Sequence, residues 1–224
     1  IGVRLVGSEM CIRDRFIPMR GKPLLMHTLE AFHRWDASAR IILVLPEDHQ
    51  PYWNMLCKEI GCKVPHAIVK GGDTRFFSVK NGLDWLLAER RRKGEEDSGL
   101  SLVAVHDGVR PFVSPEVVEA CFDKAAVTGA VIPVVPMIDS LRETDEKGSH
   151  PVDRSRYMAV QTPQVFHLEL LTKAYEQPYS SLFTDDASVV EAMGHAIDTV
   201  PGDRENIKIT TPFDLLIAEA MFAR

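Results

Sequence analysis

Long apolar runs are missing from this 224-residue sequence. No stretch approaches the roughly 18 consecutive apolar residues of a membrane-spanning helix, and the first residues lack the long apolar core of a signal peptide. We therefore expect no membrane partner and a cytoplasmic location.

Cysteine is scarce, and the whole chain contains only Cys11, Cys57, Cys62 and Cys121. These residues form no Cys-x-x-Cys pair, and none has a histidine at the spacing of a zinc site. The pattern implies no disulfide framework and is typical of buried or incidental thiols in a reducing compartment.

An excess of basic charge is also missing, because 26 Lys and Arg residues stand against 32 Asp and Glu residues, for a net charge of −6. Nucleic acids and anionic membrane surfaces require clustered basic residues. The dense basic run at residues 90–93 is followed by glycine and acids, as at a solvated helix end. We expect no nucleic-acid partner, so any bound phosphate should lie in a local basic pocket.

What the sequence does have is a set of continuous apolar runs at residues 41–45, 102–106 and 130–135. Runs of this kind are typical of parallel strands buried on both faces. Stretches with helical spacing of apolar residues lie between them, and some begin with Pro or a capping Ser or Thr. The alternation predicts an α/β fold with one doubly wound, mostly parallel sheet.

The same patterns predict the remaining elements. Residues 1–15 are a poor candidate for a buried central strand, because three arginines interrupt few apolar residues. Asp185 and Asp186 are interpreted as the cap and acidic first turn of a helix. Strands are expected at 66–69, 197–200 and 207–210 and helices at 51–60 and 167–175, and the chain is expected to re-enter the globule at 160–166. Other helices are expected to begin at Pro23, just before Phe76, at Ser114 and at residues 184–188, and a terminal helix that begins at Thr211-Pro212 is expected to pack Leu215, Leu216, Ala218 and Phe222.

Residues 136–159 differ in kind from the rest, since they are polar and contain the turn sequence Glu146-Lys147-Gly148. Such a stretch cannot bury itself against the sheet. We expect a hairpin arm that projects from the domain and contacts a partner subunit.

Two stretches carry residues suited to chemistry. Asp107 and Arg110 follow the apolar run at 102–106, so they are expected at the mouth of a cleft where parallel strands end. Residues 71–75 (Gly-Gly-Asp-Thr-Arg) join a strand to a helix, where backbone N–H groups can approach an anion. Each also has a plainer interpretation: a capped turn with a solvated arginine, and an ordinary glycine turn.

Seven separated strings resemble, in family order, the 2-C-methyl-D-erythritol 4-phosphate cytidylyltransferases of the non-mevalonate isoprenoid pathway. The strings are Phe16-Ile17-Pro18 with Gly21-Lys22-Pro23, Gly71-Gly72-Asp73 with Arg75 and Ser78, His106-Asp107 with Arg110-Pro111, Asp153-Arg154, Thr162-Pro163-Gln164, Thr184-Asp185 with Ala187-Ser188, and Asn206-Ile207-Lys208-Ile209-Thr210. The resemblance implies a Rossmann-like nucleotidyltransferase fold. It also implies transfer of a cytidylyl group from CTP to a sugar-alcohol phosphate, with release of pyrophosphate and a requirement for Mg²⁺.

The resemblance further implies roles for individual residues. The catalytic residues Arg154 and Lys208 would hold the acceptor phosphate, and Asp107 would face Mg²⁺ and the nucleotide phosphates. The substrate-binding set is Gly72, Asp73 and Ser78 around cytidine, together with Arg75, Asp107, Arg110, Ser140 and Thr162. In the family the arm builds a homodimer, so Ser140 and Arg154 would act across the subunit interface, with Arg110 near the acceptor.

The front of the chain departs from this family. The family opens with a glycine-rich loop and a Pro-Lys-Gln string, whereas Asp14 stands where the lysine is expected and residues 1–15 contain no such loop. We therefore expect residues 1–15 to be a leader that is not native and residues 16–224 to form a single domain. We also expect impaired turnover, because replacing a lysine beside the triphosphate by an acid lowers the reaction rate by roughly two decades or more.

Three alternatives stay open at this point. A ribitol 5-phosphate cytidylyltransferase shares the fold and much of the motif set, and a non-catalytic nucleotide-binding dimer would have kept the arm and lost turnover. A glycosyltransferase is disfavoured because the chain has no Asp-x-Asp metal motif.

Overall fold

A computed structural model describes residues 16–95 and 100–223 in full and residues 2–6 as backbone. In these ranges the strands are β1 (Gly2–Val6), β2 (Pro18–Met19), β3 (Lys22–Pro23), β4 (Arg40–Leu45), β5 (Ala67–Lys70), β6 (Leu102–Asp107), β7 (Ala130–Pro136), β8 (Leu141–Asp145), β9 (Gly148–Val152), β10 (Met158–Val160), β11 (Gln164–His167) and β12 (Asp198–Pro201). The α-helices are α1 (Leu24–Trp35), α2 (Gln50–Ile60), α3 (Arg75–Lys93), α4 (Pro115–Thr128), α5 (Leu168–Ala174), α6 (Asp186–Glu191) and α7 (Pro212–Phe222). Short 3-10 turns precede α2 and β10.

The centre of the fold is an eight-stranded sheet in which β5, β4, β1 and β6 lie side by side and parallel. Beyond β6 the sheet continues through the antiparallel β11 to β7, which also pairs with β10 and, in parallel, with β12. The predicted doubly wound, mostly parallel sheet is confirmed. Because β4, β5 and β6 are parallel, their carboxyl ends share one edge, where ligands bind in open α/β sheets.

The buried apolar runs account for the middle of the sheet. Strands β4 and β6 are buried along nearly their whole length, as is the first part of β7. Helices cover both faces. Phe32, Trp53 and Phe122 pack on one side and Phe76 and Phe166 on the other. Burial of each such aromatic side chain stabilises the fold by about 1.5–3 kcal/mol.

Local sequence signals set the helix ends. The Ser114 side chain accepts a hydrogen bond from the backbone N–H of Val117 and caps α4, while Pro115 occupies the first turn. Helix α2 ends at Gly61, whose φ of 75° is left-handed. The basic run at the end of α3 is followed by the C-cap Gly94, as predicted.

The expectation that residues 1–15 would supply no central strand is wrong. Residues Gly2–Val6 form β1, which pairs with both β4 and β6 in the middle of the sheet. Strands pair through backbone N–H and C=O groups, so an arginine side chain in β1 does not prevent pairing. Without β1, the edges of β4 and β6 that face it would have unpaired backbone groups. The predicted leader otherwise falls on residue 1 and residues 7–15, which lie outside the described ranges.

Two smaller expectations also fail. Residues 207–210 are not a strand, although the backbone N–H of Ile209 donates to the carbonyl oxygen of Val109 at 3.0 Å. On α7, Ala218 is buried but Leu216 is exposed, so the apolar face of this helix is narrower than predicted. In contrast, the arm is confirmed as a hairpin of β8 and β9 with exposed side chains.

None of the helices in the described ranges combines the length and the hydropathy needed to span a bilayer.

Candidate active site

The carboxyl end of β6 brings one carboxylate and two cations together. Asp107 Oδ2 accepts a hydrogen bond from Arg110 Nε at 3.1 Å, and Lys208 Nζ lies 3.3 Å from the same oxygen. Asp107 and Arg110 are nearly buried, whereas the Lys208 side chain is 35% exposed. The predicted cleft edge therefore includes Lys208, which lies about a hundred residues further along the chain.

The charges around Asp107 keep it ionised. Burial alone raises the pKa of this carboxyl, but Lys208, Arg110 and Arg75 together outweigh burial, so the pKa lies below its usual value. At neutral pH the cluster holds a carboxylate with its cations, which suits it to bind a phosphate or a metal ion.

Behind this cluster lies a buried network centred on Thr162. The Asp107 backbone N–H donates to Thr162 Oγ1 at 3.1 Å, and the Asn206 amide donates to the Thr162 carbonyl at 2.8 Å. Arg110 Nη1 donates to the Asn206 carbonyl at 2.7 Å. The network fixes both Asp107 and Arg110 from the protein side, and the peptide bond between Thr162 and Pro163 is cis.

His106 completes the network as a neutral ring. Its Nε2 lies 3.1 Å from the Arg110 carbonyl, an acceptor, so Nε2 carries the proton. Its Nδ1 then accepts from the Thr162 hydroxyl at 3.1 Å. Burial lowers the pKa of His106 to about 4, which agrees with a neutral side chain.

The loop between β5 and α3 lies at the same edge of the sheet as Asp107, because β5 and β6 run parallel. The backbone N–H of Gly72 donates to Ser78 Oγ at 3.0 Å, and Gly71 N–H donates to the Leu45 carbonyl at 2.8 Å. A Cβ on Gly72 would lie 2.4 Å from the Cβ of Phe77, so no larger residue fits this backbone path. Asp73 lies in this loop and Thr74 caps α3. The loop therefore presents backbone groups and small side chains.

Arg75, the first residue of α3, is partly exposed and forms an ion pair with a buried acid. Its guanidinium donates to Asp186 Oδ2, and the Tyr175 hydroxyl donates to Asp186 Oδ1 at 2.5 Å. Burial lowers the pKa of Arg75, but the Asp186 charge more than offsets this effect and raises it overall. The interpretation of Asp185 as a helix cap and of Asp186 as an acid in the first turn is confirmed, and the Asp186 side chain is in addition fully buried.

Ser140 and Arg154 lie at the base of the arm. The Arg154 guanidinium donates to the Ile138 carbonyl, and both Arg154 and Ser140 are exposed. Within the described ranges, no hydrogen bond or ion pair joins either residue to Asp107 or Lys208. A single chain, as described, therefore does not bring together all the residues predicted to act on the acceptor.

Comparison with known proteins identifies the relatives of this chain. The family model of the 2-C-methyl-D-erythritol 4-phosphate cytidylyltransferases, IspD, matches residues 6–224. The chain belongs to this family. It is therefore a member of a nucleotidyltransferase enzyme family of isoprenoid biosynthesis, as the resemblance implied, and the predicted class is confirmed.

Individual relatives agree with the family. A 2-C-methyl-D-erythritol 4-phosphate cytidylyltransferase from Bacteroides fragilis is 52% identical over 220 residues, covering 98% of this chain and 94% of the relative. The protein of that name from Porphyromonas gingivalis is 49% identical over 209 residues, covering 92% and 88%.

Solved structures support the fold. The crystal structure of the 2-C-methyl-D-erythritol 4-phosphate cytidylyltransferase from Thermus thermophilus covers 100% of this chain and 98% of that chain, with 30% identity and a TM-score of 0.76. The 4-diphosphocytidyl-2C-methyl-D-erythritol synthase from Anaerococcus prevotii covers 100% and 96%, with 26% identity and a TM-score of 0.80. The expected nucleotidyltransferase fold is confirmed.

The donor set of this cytidylyltransferase cleft fits magnesium in a limited way. No group of three or more His, Cys, Asp or Glu side chains within the described ranges could hold a metal ion. Mg²⁺ in proteins commonly uses one or two carboxylates together with substrate phosphates and water. Asp107, ionised and at the mouth of the cleft, meets that requirement only when phosphates complete the coordination.

Two features of this site have no clear signal in the sequence. Asp186 contacts Arg75 across 111 residues, and a single sequence provides no sign of such a pair. Asn206 was matched only as part of a string, yet it is fully buried and joins Arg110 to Thr162.

Proposed function

We propose that this chain binds CTP and 2-C-methyl-D-erythritol 4-phosphate in the cleft between the residue 71–74 loop and Asp107. The acceptor phosphate oxygen attacks the α-phosphorus of CTP in line, a new P–O bond forms, and the bond to the β-phosphate breaks to release pyrophosphate. Family membership supports the reaction. The ribitol 5-phosphate alternative is not favoured by the relatives, which carry the methylerythritol name.

The observation that carries this proposal is the pairing of Asp107 with Arg110 and Lys208 at the end of β6. Two anionic substrates must approach each other for the transfer, and cations that are already in position offset their repulsion. Lys208 and Arg110 supply these cations within one protomer, and the transfer needs no covalent protein nucleophile.

The nucleotide end of the cleft follows from the residue 71–74 loop. Gly72, Asp73 and Ser78 line the proposed cytidine pocket, where backbone groups can read the edge of the base. Thr162 contributes by fixing the backbone of Asp107. When bound, Mg²⁺ would be held by Asp107 together with the nucleotide phosphates and would offset their charge.

We also propose that the arm forms a homodimer. Four apolar side chains at its base are 43–61% exposed, which is typical of an interaction surface. The four side chains are Ile138, Tyr157, Met158 and Val160. A second copy covering them would let Ser140 and Arg154 reach the acceptor in the partner's cleft.

Two further points concern this particular chain. Its described cysteines Cys57, Cys62 and Cys121 are free, in keeping with a cytoplasmic enzyme. Its turnover is proposed to be low, because residues 1–15 contain no lysine and Asp14 stands where the family has one. The assignment of residues 1–15 as a non-native leader remains a prediction.

The test is an assay of pyrophosphate release from CTP, Mg²⁺ and 2-C-methyl-D-erythritol 4-phosphate, run beside ribitol 5-phosphate and beside calorimetry with CTP and Mg²⁺. Slow release with the first acceptor supports the proposal. Faster release with ribitol 5-phosphate would reassign the acceptor. CTP binding without any release would favour a non-catalytic dimer, and absence of CTP binding would overturn the proposal.

A further inference from the structure

Asp186 is the most completely buried carboxylate near the cleft, and the proposed mechanism does not use it. Its side chain has no exposed surface, and both carboxylate oxygens have partners, Arg75 on one side and Tyr175 on the other. Through these contacts it joins the start of α6, the end of α5 and the start of α3. It lies one residue away from the cap of its own helix, Asp185.

A buried ion pair of this kind contributes little to stability for its own sake. The desolvation of both charges largely offsets their attraction, and apolar replacements of similar volume are often as stable. What the pair does provide is a fixed position for the Arg75 guanidinium, because the fully buried Asp186 carboxylate needs a cationic partner, although the Arg75 side chain itself is 23% exposed. The main effect of the ion pair is therefore on the position of Arg75, not on the stability of the fold.

The position that it fixes is the end of the nucleotide loop. Arg75 directly follows Thr74, whose side chain caps α3, and the loop is attached on its other side to Ser78 and to the Leu45 carbonyl. The positive charge of Arg75 also helps to lower the pKa of Asp107. Arg75 therefore interacts electrostatically with two carboxylates, and the one that accepts its hydrogen bond is Asp186.

We propose that Asp186 is a positioning residue for nucleotide binding, which anchors Arg75 and thereby holds the residue 71–74 loop in its binding conformation. The inference rests on the proposed function, since it assumes that this loop receives CTP. Without the Asp186 charge, Arg75 turns toward Asp107, competes with Lys208 and Arg110 for that carboxylate, and releases the start of α3.

A double-mutant cycle in the full chain tests this proposal. Calorimetry with CTP and Mg²⁺ is performed on the wild type, Asp186→Asn, Arg75→Met and the double variant Arg75→Met/Asp186→Asn. We expect Asp186→Asn to weaken CTP binding about tenfold or more, as a displaced loop does. Because Asp186 acts through Arg75, the double variant should bind CTP no more weakly than Arg75→Met alone.

Two measurements separate positioning from simple stabilisation. The double variant has lost both charges of the Arg75–Asp186 pair. In urea unfolding it should regain stability that Asp186→Asn has lost, but in calorimetry it should not regain CTP affinity. The matched control is Glu95→Gln, which removes the carboxylate charge that pairs with Arg40 Nη2 at the opposite end of α3 from the loop. Its CTP affinity should stay within about twofold of the wild type.

The outcomes are distinguishable. If the wild type binds CTP and Asp186→Asn binds it equally well, the inference is wrong and the proposed function stands. Full recovery of CTP affinity in the double variant, or an equal loss in Glu95→Gln, would also overturn it. If the wild type does not bind CTP, the proposed function is refuted and the inference with it.

Discussion

Replacing Gly72 by alanine tests whether the close approach of the nucleotide loop to α3 matters for binding. The new Cβ would lie 2.4 Å from the Cβ of Phe77 and 2.9 Å from its carbonyl carbon. Ordinary contact begins near 3.4 Å, so the loop must move by about 1 Å. Gly72 is not among the residues with positive φ, so the cost is steric and not conformational.

Two consequences follow from such a shift. Overpacking against a helix backbone costs roughly 1–3 kcal/mol of unfolding free energy. The shift also strains the hydrogen bonds between Gly72 and Ser78, which join the loop to α3 in both directions. Because this loop is proposed to contact CTP directly, a shift of about 1 Å takes its hydrogen bonds to the nucleotide outside their normal range, so we expect a clear loss of CTP affinity.

Gly71→Ala is the matched control. Its Cβ would lie 3.4 Å from Ser78 Oγ and 3.5 Å from the Leu45 carbonyl carbon, which are ordinary contacts. Calorimetry with CTP and Mg²⁺ and urea unfolding are the measurements. The control should stay within about 1 kcal/mol of the wild type in stability and bind CTP normally. Wild-type affinity in Gly72→Ala, or equal damage in both variants, would refute the reasoning.

Three further predictions concern the rest of the cleft and the arm. Lys208→Ala should raise the KM for the acceptor about tenfold or more while CTP affinity changes little, and equal losses in steady-state kinetics and calorimetry would contradict its assignment to the acceptor. Burial lowers the pKa of His106 to about 4 in the folded protein, well below its value of about 6.5 in the unfolded chain. Between pH 7 and pH 5 the unfolded chain therefore binds a proton that the folded protein does not, and the free energy of unfolding should fall by about 2 kcal/mol. His106→Asn should lack this slope in urea titrations at both pH values. Met158→Glu should convert a dimer to a monomer in light scattering, and an unchanged mass would argue against the arm interface.

The sheet was predictable where burial alone specifies a strand. The apolar runs of β4, β6 and β7 needed no partner to be recognised, because a strand covered on both faces must be apolar throughout. Strand β1 was not predictable, since its pairing is made by backbone groups and its sequence includes Arg4. Residues 207–210 have a sequence typical of a strand but do not form one. Their described backbone contact with a neighbouring segment is the hydrogen bond from Ile209 to Val109.

Some residues of the candidate site could also be predicted from the sequence, and others could not. Asp107 and Arg110 were predictable as neighbours, because they follow one strand within four residues. Lys208 and Asn206 reach the same cluster from the other end of the domain, and only the family strings connected them to it. The partner of Arg75 could not be found, since an acid at a helix start is usually a solvated one.

The Asp107 cluster has a consequence for how this cleft responds to salt. Lys208 and Arg110 already have an ionic partner in Asp107, so on the proposed function an incoming phosphate would exchange one anion for another and add no new ion pair. A bare cluster of cations would bind many anions and lose them steeply as ionic strength rises. Here the exchange discriminates against small anions that cannot replace a fixed carboxylate. The same exchange would leave an Asp107 oxygen without its cationic partner, so that this oxygen could bind another cation once the phosphate lies beside Lys208.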